Sequence, residues 1–469
     1  MSSVKKNFIY NIIYQILIFI LPLVTTPYLA RVLGAEKTGI YSYAHSVAYY
    51  FVLFAMLGLN NYGNREIARK RNDTVERSKT FWSIYFLQVC TGMLALVAYI
   101  FYCLIFKTYD IVSWIFVLYV LSACFDINWF FWGLEEFKIT VTRNTVIKFA
   151  SVATILLMVK SRDDLYLYTI IMTLSNLLSP LLLWPYLKRR IKWYKPNCNE
   201  VIAHLKPNLV LFIPVIAISL YKVMDKIMLG TLATYSEVGY YEYSEKVIAI
   251  PIACVNALGT VMLPRMSNLV ANQKTEEENS LIKKSIIFGA ALAISMGFGL
   301  MGIAKEFVPF FYGDGYEKCI LLFYILMPSC AFLAVANVIR TQFLIPRKKD
   351  REFIFSVIFG AVVNLVINAL LIPELQSVGA AIGTLAAETT VCIYQLIIVR
   401  KNLPVGVYVK DLILLLIFGV IMFLAVFFTP ALGGYVPTIM IKVVVGVIIF
   451  IMLFITAHRP LVKQLLMRE

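Results

Sequence analysis

Long apolar runs separated by short polar segments make up most of this chain. A helix needs about 20 mainly apolar residues to cross a bilayer, and counting such runs predicts fourteen membrane-spanning helices. The predicted spans are 8–30, 39–60, 81–106, 111–133, 144–159, 165–187, 207–230, 239–263, 285–304, 318–345, 353–372, 378–399, 411–429 and 437–457.

The distribution of basic residues tests this count, because Lys and Arg collect in the cytoplasmic loops of membrane proteins. With both termini inside, the inner segments hold 30 of the 43 Lys and Arg residues, and the outer loops hold 7, counting Lys318 at a loop edge. The richest inner loops are 64–79 and 188–206. The alternation predicts an even number of spans and two cytoplasmic termini.

Composition agrees with a polytopic membrane protein. Hydrophobic residues are 60% and charged residues 15% of the chain, against ~45–50% and ~25% in soluble domains. The net charge of +16 does not indicate a nucleic-acid partner, because the basic residues separate apolar runs instead of forming a patch with interleaved aromatic residues. The eight cysteines contain no CxxC pair and the three histidines are far apart, so we expect no metal site, disulfide framework or cofactor.

A gap-free internal repeat links the two halves of the chain. Residues 39–65 lie over 239–265 at an offset of 200, and the copies open with GIYSYA and GYYEYS, a shared Gly-x-Tyr-x-Tyr-small pattern. A repeat of this length indicates a duplicated structural unit. Since an even number of predicted spans separates the copies, the halves are parallel repeats related by an axis along the membrane normal.

The repeat sets the predicted organisation. We expect an all-α polytopic membrane protein with two pseudo-symmetric six-helix lobes and a C-terminal helix pair. The predicted segments are a first lobe over 1–187, a cytoplasmic inter-lobe loop over 188–206, a second lobe over 207–399 and the extra pair over 411–457.

Each predicted lobe opens with a proline-containing span that leads into its Gly-x-Tyr-x-Tyr copy. Pro22 and Pro27 lie in the first span and Pro214 in the seventh. Proline frees backbone carbonyls in a spanning helix, which is tolerated where the helix lines a cavity, and paired interrupted helices mark the sites of many transporters. We predict gating or hinge roles for these prolines and for Gly39 and Gly239; duplicated packing without transport is the alternative.

Four segments resemble one family in the right order: LPLVTTPYLARVLGAEKTGIYSYA (21–44), DINWFFWGLEEF (126–137), VMDKIMLG with VGYYEYSEK (223–246) and NLVINALLIPELQSVGAAIGTLAAE (364–388). They are similar to the polysaccharide repeat-unit flippases, the Wzx-type branch of the multidrug/oligosaccharidyl-lipid/polysaccharide exporter superfamily. The similarity runs through most of 8–400.

The resemblance implies a transporter, not an enzyme, with two lobes around a central cavity that opens alternately to either side of the bacterial cytoplasmic membrane. The implied partners are an oligosaccharide linked through diphosphate to undecaprenol, a coupling ion (H⁺ or Na⁺) and the polymerase or export machinery of a capsule or O-antigen pathway. Many members have twelve spans. In the lipid-II flippase branch the extra pair is thought to cradle the lipid tail, so the pair at 411–457, which contains Lys442, suits a lipid-facing role and equally plain packing.

Charges inside predicted spans need a reason, because each costs ~2.5–3.5 kcal/mol at mid-bilayer on insertion scales. Lys222, Asp225 and Lys226 share one face of the seventh span, and one surplus positive charge remains if a lysine pairs with the aspartate. Lys246 adds a cation that Glu242, four residues earlier, can neutralise. Such a cluster suits a diphosphate in a partly desolvated cavity. We therefore predict that the three lysines bind the cargo; a structural ion-pair network is the alternative.

Two further cations are candidates for the same cavity. Lys148 and Arg340 lie within about two turns of the predicted cytoplasmic helix ends, so each either lines the cavity or extends to the membrane surface. Asp126 is similarly shallow and is either an ion-coupling residue or the organiser of the DINW turn.

Glu388 lies near the middle of the twelfth predicted span, between GTLAA and TT. The bilayer penalises its ionised form, which makes it a candidate proton or sodium coupling site, together with Asp225 and Asp126. A hydrogen bond to nearby Ser or Thr, or a lysine across the lobe, is the structural alternative.

Three other functions compete. A membrane glycan polymerase tends to carry a large outer loop with arginines and histidine, whereas the outer loops here are short and contain no histidine. A multidrug cation antiporter of the same superfamily would favour acidic residues in its cavity, whereas a basic cavity selects an anionic cargo. A lipid-II-type flippase stays open, because its cargo has the same lipid anchor.

Overall fold

The computed structural model describes residues 21–106 and 110–459, and all regular secondary structure in these ranges is helical. The chain divides into two compact units. Unit 1 holds the described residues up to Gly230 together with Thr234–Gly239, and unit 2 holds Thr231–Ala233 with the described residues from Tyr240 onward.

Unit 1 is a bundle of long helices interrupted by short ones. Asp73 caps the helix Thr74–Ile105. Its carboxylate accepts hydrogen bonds from the backbone N–H groups of Val75 (2.8 Å) and Glu76 (3.1 Å). Its helices are α1 (21–32 within the described residues), α2 (Gly34–Met56), α3 (Leu59–Arg69), α4 (Thr74–Ile105), α5 (Asp110–Ile115), α6 (Val117–Phe125), α7 (Asn128–Gly133), α8 (Phe137–Met158), α9 (Leu165–Leu181), α10 (Trp184–Leu187), α11 (Cys198–Ala203) and α12 (Leu205–Leu232).

The core of unit 1 contains a satisfied polar centre. Gln88 of α4 is fully buried, and its amide donates to the carbonyls of Ala123 (2.6 Å) and Asp126 (2.8 Å). The Gln88 amide oxygen accepts from the indole N–H of Trp129 at 3.0 Å. Buried polar groups are costly unless they are paired, so these bonds fix how α4 packs on the break between α6 and α7.

Unit 2 contains the longest helices. Its first helix begins in unit 1 and continues here from Tyr240. The helices are α13 (Tyr235–Ala271), α14 (Thr275–Tyr312), α15 (Glu317–Leu326), α16 (Ser329–Ile339) with a π-helical continuation (Arg340–Leu344), α17 (Asp350–Leu375), α18 (Ser377–Val399), α19 (Val405–Phe428) and α20 (Tyr435–Ala457).

The helices agree with the predicted spans. Within the described ranges, twelve helices are long and apolar enough to cross a membrane, and the bent pair Glu317–Leu326 with Ser329–Leu344 makes a thirteenth. These correspond to the second to fourteenth predicted spans. The first predicted span, 8–30, lies partly outside the described residues. The prediction of an all-α polytopic membrane protein is confirmed, and the orientation of the termini stays a prediction.

Two helices extend well beyond the apolar spans predicted within them. The fifth span was expected at 144–159, but α8 begins at Phe137, so Lys148 lies three turns into the helix instead of two. The ninth was expected at 285–304, but α14 runs from Thr275 to Tyr312. Both helices continue through mixed polar and apolar residues that an apolar count excludes, because helical hydrogen bonding does not depend on side-chain polarity.

The expected interruption of the proline-containing spans is not observed in the seventh. Helix α12 is continuous from Leu205 to Leu232 through Pro214. The break occurs in the tenth span, where α15 and α16 bend by 41° and Pro328 precedes the first residue of α16. Pro328 provides a stop because it cannot donate the hydrogen bond that would continue α15.

The division by contacts differs from the division by repeat. Contacts assign α12 up to Gly230 to unit 1, whereas the repeat placed the seventh span in the second lobe. The lobes at 1–187 and 207–399, the loop at 188–206 and the pair at 411–457 describe a duplication, and they stay predictions.

The last two helices pack on α14. A Cβ on Gly419 of α19 would lie 2.6 Å from Ile294, and one on Gly302 of α14 would lie 2.6 Å from Val426, so glycine permits close helix approach on both sides. The Lys442 Nζ of α20 lies 2.7 Å from the Glu306 Oε1 of α14; the Lys442 side chain is buried and that of Glu306 is 15% exposed. On this face, the extra pair is therefore held by packing and by an ion pair.

Candidate functional site

The two repeat glycines lie against each other in unit 1. A Cβ on Gly39 of α2 would overlap the Tyr235 carbonyl and lie 3.0 Å from the Gly239 nitrogen, and a Cβ on Gly239 would overlap the Ala35 carbonyl. Neither glycine has a positive φ. Glycine at these positions therefore serves the contact between two helix starts, and the hinge role stays a prediction.

The first-copy tyrosines pack within unit 1. The Tyr41 ring lies 4.7 Å from the ring of Tyr168 and 5.4 Å from that of Phe116. The Tyr43 ring packs directly against Gly230 near the end of α12. These contacts join α2 to α9, α6 and α12.

The second-copy tyrosines make the corresponding contacts in unit 2. The Tyr241 hydroxyl lies 2.7 Å from the Thr384 hydroxyl of α18. The Tyr243 ring lies 5.2 Å from Tyr312 and 5.4 Å from Tyr316. In each copy the first tyrosine therefore reaches the sixth span of its predicted lobe, α9 or α18, as expected for a duplication.

Three members of the predicted charge cluster lie within about one turn of α12. Lys222 is exposed, Asp225 is 2% exposed and Lys226 is half-buried. Nearby, the Tyr50 hydroxyl of α2 donates to the Ser219 carbonyl at 3.1 Å. Helix α12 therefore presents an exposed lysine and a buried carboxylate within one turn.

Lys246 and Arg340 lie in unit 2. Lys246 Nζ is 3.1 Å from Glu242 Oε1, the pairing that their spacing predicts, and 5.6 Å from the Tyr243 ring centre. Arg340 opens the π-helical segment and lies 5.6 Å from the Phe353 ring centre. Lys246 is thus neutralised locally, which weakens its predicted part in binding an anion.

Lys148 and Asp126 lie in unit 1. Lys148 is half-buried in α8, eleven residues from the first residue of that helix. Asp126 accepts from the backbone N–H (2.9 Å) and side-chain amide (2.6 Å) of Asn128. These bonds are the turn-organising role that the sequence left open for Asp126.

The sequence analysis missed a buried arginine beside this turn. Arg143 of α8 is 8% exposed and donates to Asn128 Oδ1 (2.9 Å), Asn144 Oδ1 (2.6 Å) and the Ser179 carbonyl (2.8 Å). It therefore joins α7, α8 and α9. A helix that begins at Phe137 would have placed Arg143 inside a span, and that was the available signal.

Glu388 is 5% exposed in the middle of α18. The buried Cys392 lies one turn further along the same helix. Thr384, the partner of Tyr241, lies one turn earlier. The second Gly-x-Tyr-x-Tyr copy is therefore one helical turn from the buried carboxyl, whose coupling role stays a prediction.

Sequence comparison gives relatives over most of the chain. Residues 4–270, more than half of the chain, match the polysaccharide biosynthesis protein family. A protein of Escherichia coli (strain K12) named as an O-antigen transporter is 24% identical over 85% of this chain and 97% of its own length. The lipid II flippase MurJ of Bacillus subtilis (strain 168) is 23% identical over 39% of this chain and 35% of its own.

Solved structures agree on the fold. Lipid II flippase MurJ in an inward closed conformation has a TM-score of 0.74 at 15% identity and covers 97% of this chain and 99% of its own. An inward-facing multidrug resistance MATE family transporter of the MOP superfamily has a TM-score of 0.62 at 11% identity and covers 85% of this chain and 99% of its own. The resemblance drawn from the four sequence segments is confirmed: the chain belongs to the polysaccharide biosynthesis protein family, with the fold of these two transporters.

Proposed function

We propose that this protein is a flippase that moves an oligosaccharide, linked through diphosphate to undecaprenol, across the bacterial cytoplasmic membrane for export of a capsule or O-antigen-like polysaccharide. The observation that carries the proposal is the exposed Lys222 beside half-buried Lys226 in spanning helix α12. A positive charge in a spanning helix is expensive, and a diphosphate is a ligand that would stabilise it.

Lysine suits a cargo that must also leave. A diphosphate accepts charge-assisted hydrogen bonds from ammonium groups, and lysine provides a point charge without the rigid bidentate geometry of arginine. The buried carboxylate of Asp225 lies within one turn of both lysines and limits the net charge when the cargo is absent.

Transport needs two states that the cargo and an ion distinguish. We assign the coupling step to Glu388, because its helix carries the Thr384–Tyr241 hydrogen bond to the second repeat copy. A ligand shifts a conformational equilibrium only through differential affinity for the two states. A proton or sodium ion at Glu388 would therefore favour one arrangement of α13 against α18. Association with polymerase or export machinery stays a prediction.

A flipping assay in reconstituted vesicles tests the cargo site. The double variant Lys222→Gln/Lys226→Gln should lose about tenfold or more of the rate for a diphosphate-linked oligosaccharide, the equivalent of one or two charge-assisted hydrogen bonds. Lys401→Gln removes an exposed charge at the start of the loop before α19 and should flip normally. An unchanged rate in a folded double variant would refute the cargo site.

A further inference from the structure

A basic segment of unit 1 is held against α4 by its backbone. We call residues 188–195, with the sequence KRRIKWYK, the strap. The indole N–H of Trp82 donates to the Lys192 carbonyl at 2.9 Å, and Arg77 Nη2 donates to the Arg190 carbonyl at 2.6 Å. These bonds fix the backbone of the strap and do not involve the side chains of Arg190 and Lys192.

Beside the strap lies an aromatic cavity of about 610 Å³. The ring of Trp193 packs edge-on to the ring of Trp82 at 4.3 Å, and the indole of Trp184 donates to the Phe125 carbonyl at 3.1 Å. The walls are formed largely by Trp82, Trp184, Leu187, Lys188, Ile191 and Trp193. The cavity is therefore preformed and apolar, with a cation at its edge.

An exposed apolar stripe runs along α9 and α10, the two helices that contribute Leu181 and Trp184 to the wall of this cavity. Every fourth residue along α9 and α10 is a large apolar or aromatic side chain that is 37–50% exposed. In a membrane protein such a stripe contacts acyl chains, because lipid and apolar side chains are equally apolar. The stripe consists of Ile170, Leu174, Leu178, Leu182 and Tyr186.

The basic residues of the strap differ in whether an acidic side chain pairs with them. Arg190 pairs with Glu136, with Nε 2.6 Å from Oε2. Lys188, Arg189 and Lys192 are exposed, and none of the three side chains has an acidic partner within 21–106 and 110–459. Lys188 therefore lines the cavity, and the exposed Arg189 and Lys192 follow it within four residues along the strap.

We propose that the strap and the aromatic cavity form a binding site for one anionic phospholipid, such as phosphatidylglycerol. The headgroup phosphate lies among Lys188, Arg189 and Lys192, and the glycerol and upper acyl chain lie against Trp82 and Trp193. Tryptophan favours the membrane interface, and clustered Lys and Arg beside a span attract anionic lipids. The stripe selects a lipid over a nucleotide or peptide, because only a lipid fills the cavity and the stripe together. The proposal relies on the predicted cytoplasmic position of residues 188–206. It does not depend on the cargo proposed above.

Tryptophan fluorescence tests it without a transport readout. The full chain is reconstituted in phosphatidylcholine nanodiscs that contain a small fraction of brominated phosphatidylglycerol or, separately, brominated phosphatidylcholine. Brominated phosphatidylglycerol should quench more strongly at equal mole fraction. The variant Lys188→Gln/Lys192→Gln should raise the half-quenching mole fraction about fivefold for each charge removed, and Trp82→Phe/Trp193→Phe should remove most of the excess quenching.

Lys401→Gln is the matched control, because it removes an exposed charge that is distant in sequence from the strap. It should leave the excess quenching by phosphatidylglycerol unchanged. Equal quenching by the two lipids, or an undiminished excess in the double lysine variant, would overturn the site. So would complete relief of the excess by soluble glycerol phosphate, which would assign the cations to free phosphate.

Discussion

Gly39 and Gly239, the first residues of the two repeat copies, each lie where a Cβ would overlap a backbone carbonyl from the segment that carries the other. The clash partner of Gly39 is Tyr235, and that of Gly239 is Ala35. The contact is reciprocal, because the residue four positions before each glycine lies against the other glycine.

Alanine at either repeat glycine should destabilise the protein. The added methyl group meets a backbone carbonyl that cannot rotate away, so the two helix starts must separate, and overpacking of this kind typically costs about 1–3 kcal/mol. We expect Gly39→Ala and Gly239→Ala each to lower the thermal unfolding midpoint of the purified protein and to slow flipping.

Gly406 provides the matched control. A Cβ there meets no atom within 4 Å, and alanine has the better helix propensity by up to about 1 kcal/mol. Gly406→Ala should therefore be neutral or stabilising. A Gly39→Ala protein as stable as wild type would show that the close contact is not required.

The ion pair of buried Lys442 and partly buried Glu306 should be necessary for docking α20 on α14. Removal of one partner leaves a charge buried without compensation, which typically costs about 3–5 kcal/mol. Lys442→Met or Glu306→Gln should therefore lower the unfolding midpoint strongly, and proteolysis should detect release of the last helix.

The double variant Lys442→Met/Glu306→Leu separates pairing from packing. Apolar replacement of both partners is often neutral or stabilising, so the double variant should recover most of the lost stability. If the double variant is as unstable as Lys442→Met, the effect of that substitution comes from lost packing instead of an unpaired charge.

Arg143 should not tolerate replacement by lysine. Its guanidinium serves acceptors on three helices at once, whereas an ammonium group lacks the planar fork that reaches them. An acceptor left unpaired costs about 1–3 kcal/mol, so Arg143→Lys should reduce stability by that order in thermal or denaturant unfolding. Arg69→Lys, at an exposed arginine, is the control and should stay within about 0.5 kcal/mol of wild type; an equally small effect at Arg143 would contradict the network.

Local spacing explains what the sequence could predict. Apolar run length located the spans because the bilayer fixes helix length, and the four-residue spacing of Glu242 and Lys246 predicted their ion pair because a helix fixes that geometry. The bonds of Asp126 to Asn128 are also local, because they span only two residues of a turn.

Contacts between distant helices could not be predicted this way. Lys442 and Glu306 are separated by 136 residues, and only the packing of α20 on α14 brings them together. Arg143 meets Ser179 only because α8 and α9 are neighbours. The repeat revealed that Gly39 and Gly239 are equivalent, but equivalence does not require contact.

The last prediction concerns the path from Glu388 to the second repeat copy. If the carboxyl couples an ion to transport, its neutral and charged states must favour different arrangements of α18. Glu388→Gln fixes the neutral state, so flipping in reconstituted vesicles should lose its dependence on pH or sodium. A merely structural glutamate would instead lower stability and leave the ion dependence unchanged.

The Tyr241–Thr384 hydrogen bond gives this test a second arm. Thr384→Val removes the hydroxyl that faces Tyr241, and Tyr241→Phe removes its partner. Each variant should keep normal cargo binding but weaken the ion dependence, because α18, the helix that carries the carboxyl, then has one contact fewer to α13. Thr389→Val is the matched control, since the Thr389 hydroxyl donates to the Leu385 carbonyl of its own helix at 2.7 Å. Ion dependence that falls equally in the Thr384 and Thr389 variants would mean that valine disturbs α18 in general, and that Tyr241 does not transmit the state of Glu388.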